Sequence, residues 1–375
     1  MYASKKRFLE RLTPKFPSVK FGKTIDGTSP PSVFVGREGY PKVFVGPLVT
    51  EQKGDTLEMD TPEAWIGKSK MQIVGFRMQL ARGMKQVGVT DIDNKTVGKM
   101  RDIALAGKTV DANAEFSKSP RGYSFNEDHQ PFGPSAPLKS MEISNVRFEH
   151  NMEKSYCDTD MKAGNAIVEL YEKGVLVSQI QKALSIGAFG VKRKLVPTRW
   201  SITAVDDILG KNLLDNIRSY PAIDRYLVYE FGALDNYFAI LLTPASWQYE
   251  FLEVFLGVLG QKEMIFSDWE PYGGRTTYAG MGGCYYSTRL AIAEKLGSMK
   301  RQAGAIVFRE SYSSYTPLGV WLCRESARNA LHAKPHEFSD MNSALNYIAN
   351  KVQMPFWKYR RQSVLLKQPS LISFC

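Results

Sequence analysis

Two identical apolar tetrads, VFVG at 33–36 and again at 43–46, face each other across the connector REGYPK. Their β-branched and aromatic residues, with Gly39 and Pro41 between them, predict a β-hairpin. After it the apolar period lengthens. Asp60, Thr61, Pro62 and Glu63 have the composition of a helix start, and helical spacing continues intermittently through Met71, Val74 and Met78. Residues 96–105 predict a helix and 110–116 a strand. The stretch 120–137 has four prolines and little periodicity, the character of a functional or disordered loop. Asp160 is placed to cap a helix that runs to Lys173 and closes at Gly174, and residues 178–186 predict another.

The densest patterning lies in GAFGVKRKLVPTRWSITAVDD, residues 187–207. Residues 197–203 alternate, with Trp200, Ile202 and Ala204 on one side and Arg199, Ser201 and Thr203 on the other, which predicts a strand entered through Pro197. Asp206 and Asp207 then open a helix over 208–220, where carboxylates suit the positive end of the macrodipole. Aromatic and aliphatic runs at 225–231, 236–243 and 247–256, separated by short links, predict an antiparallel meander. The glycine-rich stretch 270–284 feeds a helix over 286–299, and 305–308 is a short strand ending at Arg309 and Glu310. Asp340 is placed to cap the last regular helix, to about Val352. The sum is an α+β fold: a large mixed domain over 27–352 with a possible sub-boundary near 221–225. A basic segment (1–26) precedes it, and a basic linker (353–367) and a terminal peptide (368–375) follow it.

Composition narrows the class. With 375 residues and 43% hydrophobic content the chain can bury a large core, and it contains no apolar run long enough to span a membrane. Its start lacks the pattern of a secretory signal, so the expected location is cytoplasmic, near the nucleoid. Four cysteines lie far apart with no CxxC pair; no Cys-based zinc site is visible, and the sequence leaves any cofactor unknown. The net charge of +11 favours polyanionic partners, and it concentrates at the ends, with seven basic residues and only Glu10 acidic between Met1 and Lys23.

Three constellations carry candidate chemistry. Arg193 and Arg199, with Ser201 and Thr203, could bind phosphate, and Asp206 or Asp207 could act as a base or hold a divalent cation, which makes Arg199, Asp206 and Asp207 the catalytic candidates. The turn containing Gly280, Gly282 and Gly283, flanked by Arg275 and Arg289, could contact a second phosphate through backbone N–H groups. It matches neither GxxxxGK[ST] nor GxGxxG. Glu127, Asp128 and His129 form a weak loop cluster for metal binding or proton transfer. His332 and His336 have metal spacing, but Pro335 between them argues against one helix.

The chain ends QPSLISFC, so Gln368, Leu371 and Phe374 recur every third residue and would share one face of a 3₁₀ turn. This is the pattern of a PIP box, the peptide that docks on the sliding clamp PCNA, with Cys375 in place of the second aromatic, where it buries less surface. Together with that tail, GTSPPSVFVGREGYPKVFVGPL, FGPSAP and residues 187–207 resemble the archaeal Nre family of DNA repair proteins over nearly the whole chain. The resemblance implies repair of DNA damage through association with PCNA, carried by Gln368, Leu371, Phe374 and Cys375. The N-terminal cysteine cluster of many family members has no counterpart before Cys157, so zinc is not implied here. A clamp-recruited repair factor with a basic body touching DNA or a nucleotide is therefore expected. The rivals are an enzyme using an Arg/Asp pocket around 193–207 and the turn at 280–283, or a scaffold bridging the clamp to another protein.

Overall fold

The structure, a computed structural model, describes residues 19–125, 128–260 and 262–367. They divide into two units: residues up to Leu209 with Pro317–Trp321, and Gly210–Thr316 with the described residues from Leu322 onward. Each unit carries one six-stranded mixed sheet, so the α+β expectation holds.

In the N-terminal unit the strands are β1 (Thr24–Ser29), β2 (Val33–Val35), β3 (Lys42–Val49), β4 (Ala81–Gly88), β5 (Val110–Phe116) and β6 (Ser135–Ser144), in the order β1-β5-β6-β4-β3-β2. Only β4 and β6 pair in parallel. The predicted hairpin is β2 and β3, with Val35 opposite Val45. Its strands are bent close to β4 at one point: a Cβ on Gly46 would fall 1.9 Å from the Gly83 carbonyl oxygen, so only glycine fits there. Helices α1 (Lys70–Met78) and α2 (Lys95–Leu105) start at capping residues, Ser69 in a reciprocal box with Gln72, and Asn94. Helices α3 (His150–Cys157), α4 (Ala163–Glu172) and α5 (Val177–Ser185) follow, and Gly174 after α4 takes the positive φ that ends a helix without a Cβ clash. Asp160 does not cap α4, whose N-cap is Lys162.

Asp60 is also not a helix cap. It is buried between α1 and α5, pairing with Arg77 and, at 2.8 Å, with Lys182. Burial alone would raise its carboxyl, but the two cations outweigh it and hold it below its ordinary value. Two residues on, Pro62 does open a turn, a short 3₁₀ one. Glu63 caps a distant helix instead: its carboxylate accepts from the Ser178 N–H (2.9 Å) and hydroxyl (2.8 Å) at the start of α5.

The largest departure is at residues 197–203, which form no strand. Helix α6 (Thr198–Ile217) begins there, and the division between the units falls inside it. Burial recurs in pairs four apart, at Ser201 and Ile202, Val205 and Asp206, then Leu209 and Gly210, which is helical spacing and not alternation. Pro197 supplies its carbonyl to the Trp200 and Ser201 N–H groups, a role proline fills at a helix start because it needs no donor of its own. Asp206 and Asp207 therefore sit in the middle of a helix and do not open one.

In the C-terminal unit, β7 (Tyr226–Ala233), β8 (Asn236–Thr243), β9 (Gln248–Leu256), β10 (Glu263–Glu270), β11 (Gly304–Ser311) and β12 (His336–Phe338) are ordered β10-β9-β11-β8-β7-β12. The three predicted strands are present, but the meander is not: β11 returns between β8 and β9, antiparallel to one and parallel to the other. Helices α7 (Gly283–Met299), α8 (Trp321–His332), α9 (Met341–Ala349) and α10 (Phe356–Gln362) complete the described set. Asp340 caps α9 through the Ser343 N–H, as expected. Leu252, Val254, Ile306 and Phe308 pack against α9 and the segment 354–365, each buried apolar side chain contributing about 1.5–3 kcal/mol.

That segment was expected as linker, and α10 within it makes α9 not the last helix. Two buried carboxylates hold it. Glu310 accepts from the Gln353 and Met354 N–H groups (2.8 Å each) and the Tyr359 hydroxyl (2.9 Å). Glu250 accepts from the Ser363 hydroxyl and the Val364 and Leu365 N–H groups. Arg309 and Glu310 do not pair with each other: their side chains alternate across the sheet, and Arg309 pairs with Glu253 on the opposite face.

Candidate functional site

The antiparallel register of β2, β3 and β4 puts Phe34, Phe44, Arg82 and Met84 on one face of the N-terminal sheet. A cleft of about 410 Å³ opens over them, closed on its other sides by Phe125, His129 and Arg199. This volume falls in the range of small-ligand sites.

Arg82 is its distinctive group. The guanidinium lies 4.7 Å from the ring centre of Phe34 and 4.9 Å from that of Phe132, contacts that favour a cation. Its Nε is buried without a hydrogen-bond partner, and among the described residues no carboxylate reaches ion-pair distance. Burial lowers its pKa to about 10, with the Glu38 carboxylate partly offsetting the loss of water. The group is still cationic at neutral pH. A partly desolvated guanidinium with its face against rings and its edge unmatched is chemically disposed to receive an anion in a two-point grip.

His129 is kept neutral. Burial lowers its pKa to about 4, despite a bond from Nδ1 to the Gln130 carbonyl oxygen (2.8 Å), and the nearby Arg82, Arg77 and Arg199 lower it further. With Nδ1–H donating to that carbonyl, Nε2 is left as an acceptor. The backbone here is fixed by Gly319, at φ +103°, where a Cβ would lie 2.7 Å from the His129 carbonyl carbon. Arg199, on the first turn of α6, pairs with Asp128 at 2.9 Å. At the rim, Tyr40 and Trp200 are each 46% exposed and stand 5.3 Å apart, a pair of large rings that the fold leaves in solvent.

Of the sequence-derived candidates around 193–207, only Arg199 lines this cleft. Arg193 stacks over Tyr156 at 4.7 Å and donates to the carbonyls of Tyr156 and Asp158. Ser201 is fully buried and bonds back to the Thr198 carbonyl, and Thr203 reaches toward that of Arg199, 3.5 Å away. Asp206 is buried and accepts from Gln181 Nε2 at 3.0 Å, and Asp207 is half-buried one residue on. The second candidate group belongs to the C-terminal unit. There the Gly280 N–H and the Arg275 guanidinium are both taken by Asp268, at 2.6 and 2.8 Å, and Arg289 is buried against Glu270 at 2.9 Å. Gly282 is the N-cap of α7 with φ 72°, and Gly283 is the first helical residue. The turn is thus satisfied from within.

No group of three or more metal-ligating side chains is gathered among the described residues. Glu127 lies outside them. His332 ends α8, whereas His336 is on β12 and bonds to the Tyr347 hydroxyl at 2.8 Å. Gln368, Leu371, Phe374 and Cys375 also lie outside the described residues. Among those described, no helix is long and apolar enough to cross a membrane. Arg82 and Tyr40 were not singled out in the sequence. The alternation of Arg82, Met84 and Gln86 along the strand was the available signal, but whether a strand arginine is matched depends on residues far away in the chain.

Residues 6–258 match the family described as "Archaeal Nre, N-terminal", and residues 270–372 match "Archaeal Nre, C-terminal". The chain is 42% identical to "DNA repair protein NreB" of Archaeoglobus fulgidus, covering 94% of this chain and 91% of that protein. It is 35% identical to "DNA repair protein NreA" of the same organism (95% and 91%) and 31% identical to "DNA repair protein NreA" of Haloferax volcanii (95% and 90%). No solved structure matches significantly.

Proposed function

Because the chain belongs to the archaeal Nre family, we propose that it is a DNA repair protein, brought to the PCNA sliding clamp by its last eight residues and touching DNA through the cleft around Arg82. Relatives named as DNA repair proteins over nine-tenths of their length support the process. The observation that carries the DNA contact is Arg82 itself. A cation held partly out of water with no described carboxylate at ion-pair distance, Glu38 acting on it only from further off, costs stability, and an anion entering the cleft offsets that cost at binding. With a net charge of +11 the chain also attracts polyanions at long range.

Gln368, Leu371 and Phe374 support the clamp contact by their spacing, with Cys375 as the weaker fourth position. Calorimetry with the clamp tests it. Removal of residues 368–375 is expected to abolish binding and leave thermal unfolding unchanged, and undiminished affinity would remove the clamp from the proposal. For the DNA contact, binding to a labelled oligonucleotide should weaken steeply with salt, since phosphate contacts release counterions.

A further inference from the structure

We propose that the cleft takes one nucleotide unit of an unpaired DNA strand, its phosphate on Arg82, its base among the rings of Phe34, Phe44 and Phe125, and the neighbouring base on the exposed Tyr40–Trp200 pair. This rests on the DNA-contact reading above and goes further, because it says which form of DNA is recognised.

Four observations converge on it. The cavity of about 410 Å³, lined in part by Arg37 and Glu38 of the hairpin turn, has the size of a site for one small ligand, which suits a single nucleotide unit better than a stacked helix. Its walls combine the two chemistries of a nucleotide. Arg82 lines the cleft with no described carboxylate at ion-pair distance, while Phe44 is 42% exposed and Phe34 and Phe125 line the same space. A third feature is the neutral His129. Its Nδ1 is committed to Gln130, so Nε2 can accept from an N–H of a base. Finally, Tyr40 and Trp200 lie beside residues of the cleft wall, Tyr40 three residues after Arg37 and Trp200 next to Arg199.

What sets Tyr40 and Trp200 apart from singly exposed rings is that they are paired, and a tilted exposed pair at 5.3 Å is a platform on which a base face stacks. In an intact duplex the base faces are covered by their neighbours, so neither the rings of the cleft nor those of the rim gain from it. A strand with a free base presents both a face and a phosphate, and the unstacking cost is smallest where pairing is already lost.

The same nucleotide chemistry could arrive as a free mononucleotide, and the experiment separates the two sources. Fluorescence anisotropy with the full chain would use one labelled sequence in three forms: a perfect duplex, the duplex with a single unpaired nucleotide, and the single strand. Wild-type protein is expected to bind the second and third forms at least tenfold more tightly than the first. Arg82→Gln and Trp200→Ala should each reduce that binding fivefold or more. Trp200 is exposed, so its variant keeps the fold even if the Arg82 variant does not.

Equal affinity for all three DNAs would overturn the inference, as would wild-type binding of the unpaired form by both variants. Competition arms use deoxyadenosine and thymidine monophosphate. A mononucleotide that binds as tightly as the strand assigns the cleft to a soluble nucleotide and overturns the strand. If none of the DNAs binds, the DNA-contact reading itself falls, whereas binding indifferent to pairing removes this inference alone.

Discussion

The C-terminal unit and the cleft of the N-terminal unit both bury arginine, and they treat it in opposite ways. Around β10 and α7, Glu270 receives the Trp247 indole (3.2 Å), the Tyr285 hydroxyl (3.1 Å) and the Arg289 guanidinium (2.9 Å). Arg309 is matched by Glu253 and by the Asn236 side-chain oxygen, which accepts from its Nη2 at 2.8 Å and its Nε at 3.0 Å. In the cleft, Arg82 has ring faces and open space. A buried charge by itself therefore does not mark a site. Ion pairing separates the two: Arg289 and Arg309 each hold a carboxylate in direct contact, although Arg289 Nε and Glu253 Oε2 make no hydrogen bond of their own, whereas Arg82 has no described carboxylate within ion-pair distance and its charge is available to something else.

The comparison can be broken by removing one partner from each kind of arrangement. Glu270→Ala strands Arg289 in the core and should cost about 3–5 kcal/mol in urea unfolding. Asp60→Asn, which breaks the closed trio with Arg77 and Lys182, should cost about 3 kcal/mol at neutral pH. Since the Asp60 carboxyl sits below its ordinary 3.8, its contribution is complete above that pH and is lost as pH falls through the lowered value. Wild type and variant should therefore converge in unfolding series taken progressively below pH 3.8.

His129 gives a smaller probe that runs in the same direction, at higher pH. Its pKa is lowered from 6.5 to about 4, so the folded state should lose stability as pH falls across that interval. The ring is partly exposed, which limits the loss to about 1–3 kcal/mol. His129→Gln should remove this part of the pH slope, read from urea midpoints at pH 7 and 4.5. The smallest change should come from the cleft itself. Arg82→Gln is expected to alter stability by no more than about 1 kcal/mol, because the lost ring contacts are offset by relief of desolvation. A loss as large as that of Glu270→Ala would mean that Arg82 belongs with the ion-paired networks.

Elements whose patterns are local were legible in the sequence. The hairpin at 33–46, the strand Val110–Phe116 and the Asp340 cap follow from turn chemistry, alternation and capping, each set within a few residues. Residues 197–203 misled because Trp200, Ile202 and Thr203 favour strands and alternate, whereas packing of Ile202, Val205 and Leu209 on one helix face decides the outcome. The insertion of β11 between β8 and β9 joins residues some sixty positions apart, as Ile306 opposite Leu241 illustrates, and no local pattern encodes that. The candidate site was legible at Arg199 and, as part of a weak loop cluster, at His129. Arg82 is distinguished by what is not beside it, and that is a property of space rather than of spacing.

The grip of Glu250 and Glu310 on residues 353–365 sets a length scale for whatever the chain's end holds. With the backbone secured up to the turn at Leu365–Lys367, a stretch the length of residues 368–375 can reach no more than about 26–29 Å when fully extended. A leash beginning at 353 would reach roughly three times as far. If the peptide proposed at 368–375 binds a partner, a short tether from that fixed point gives a higher effective concentration than a long coil would.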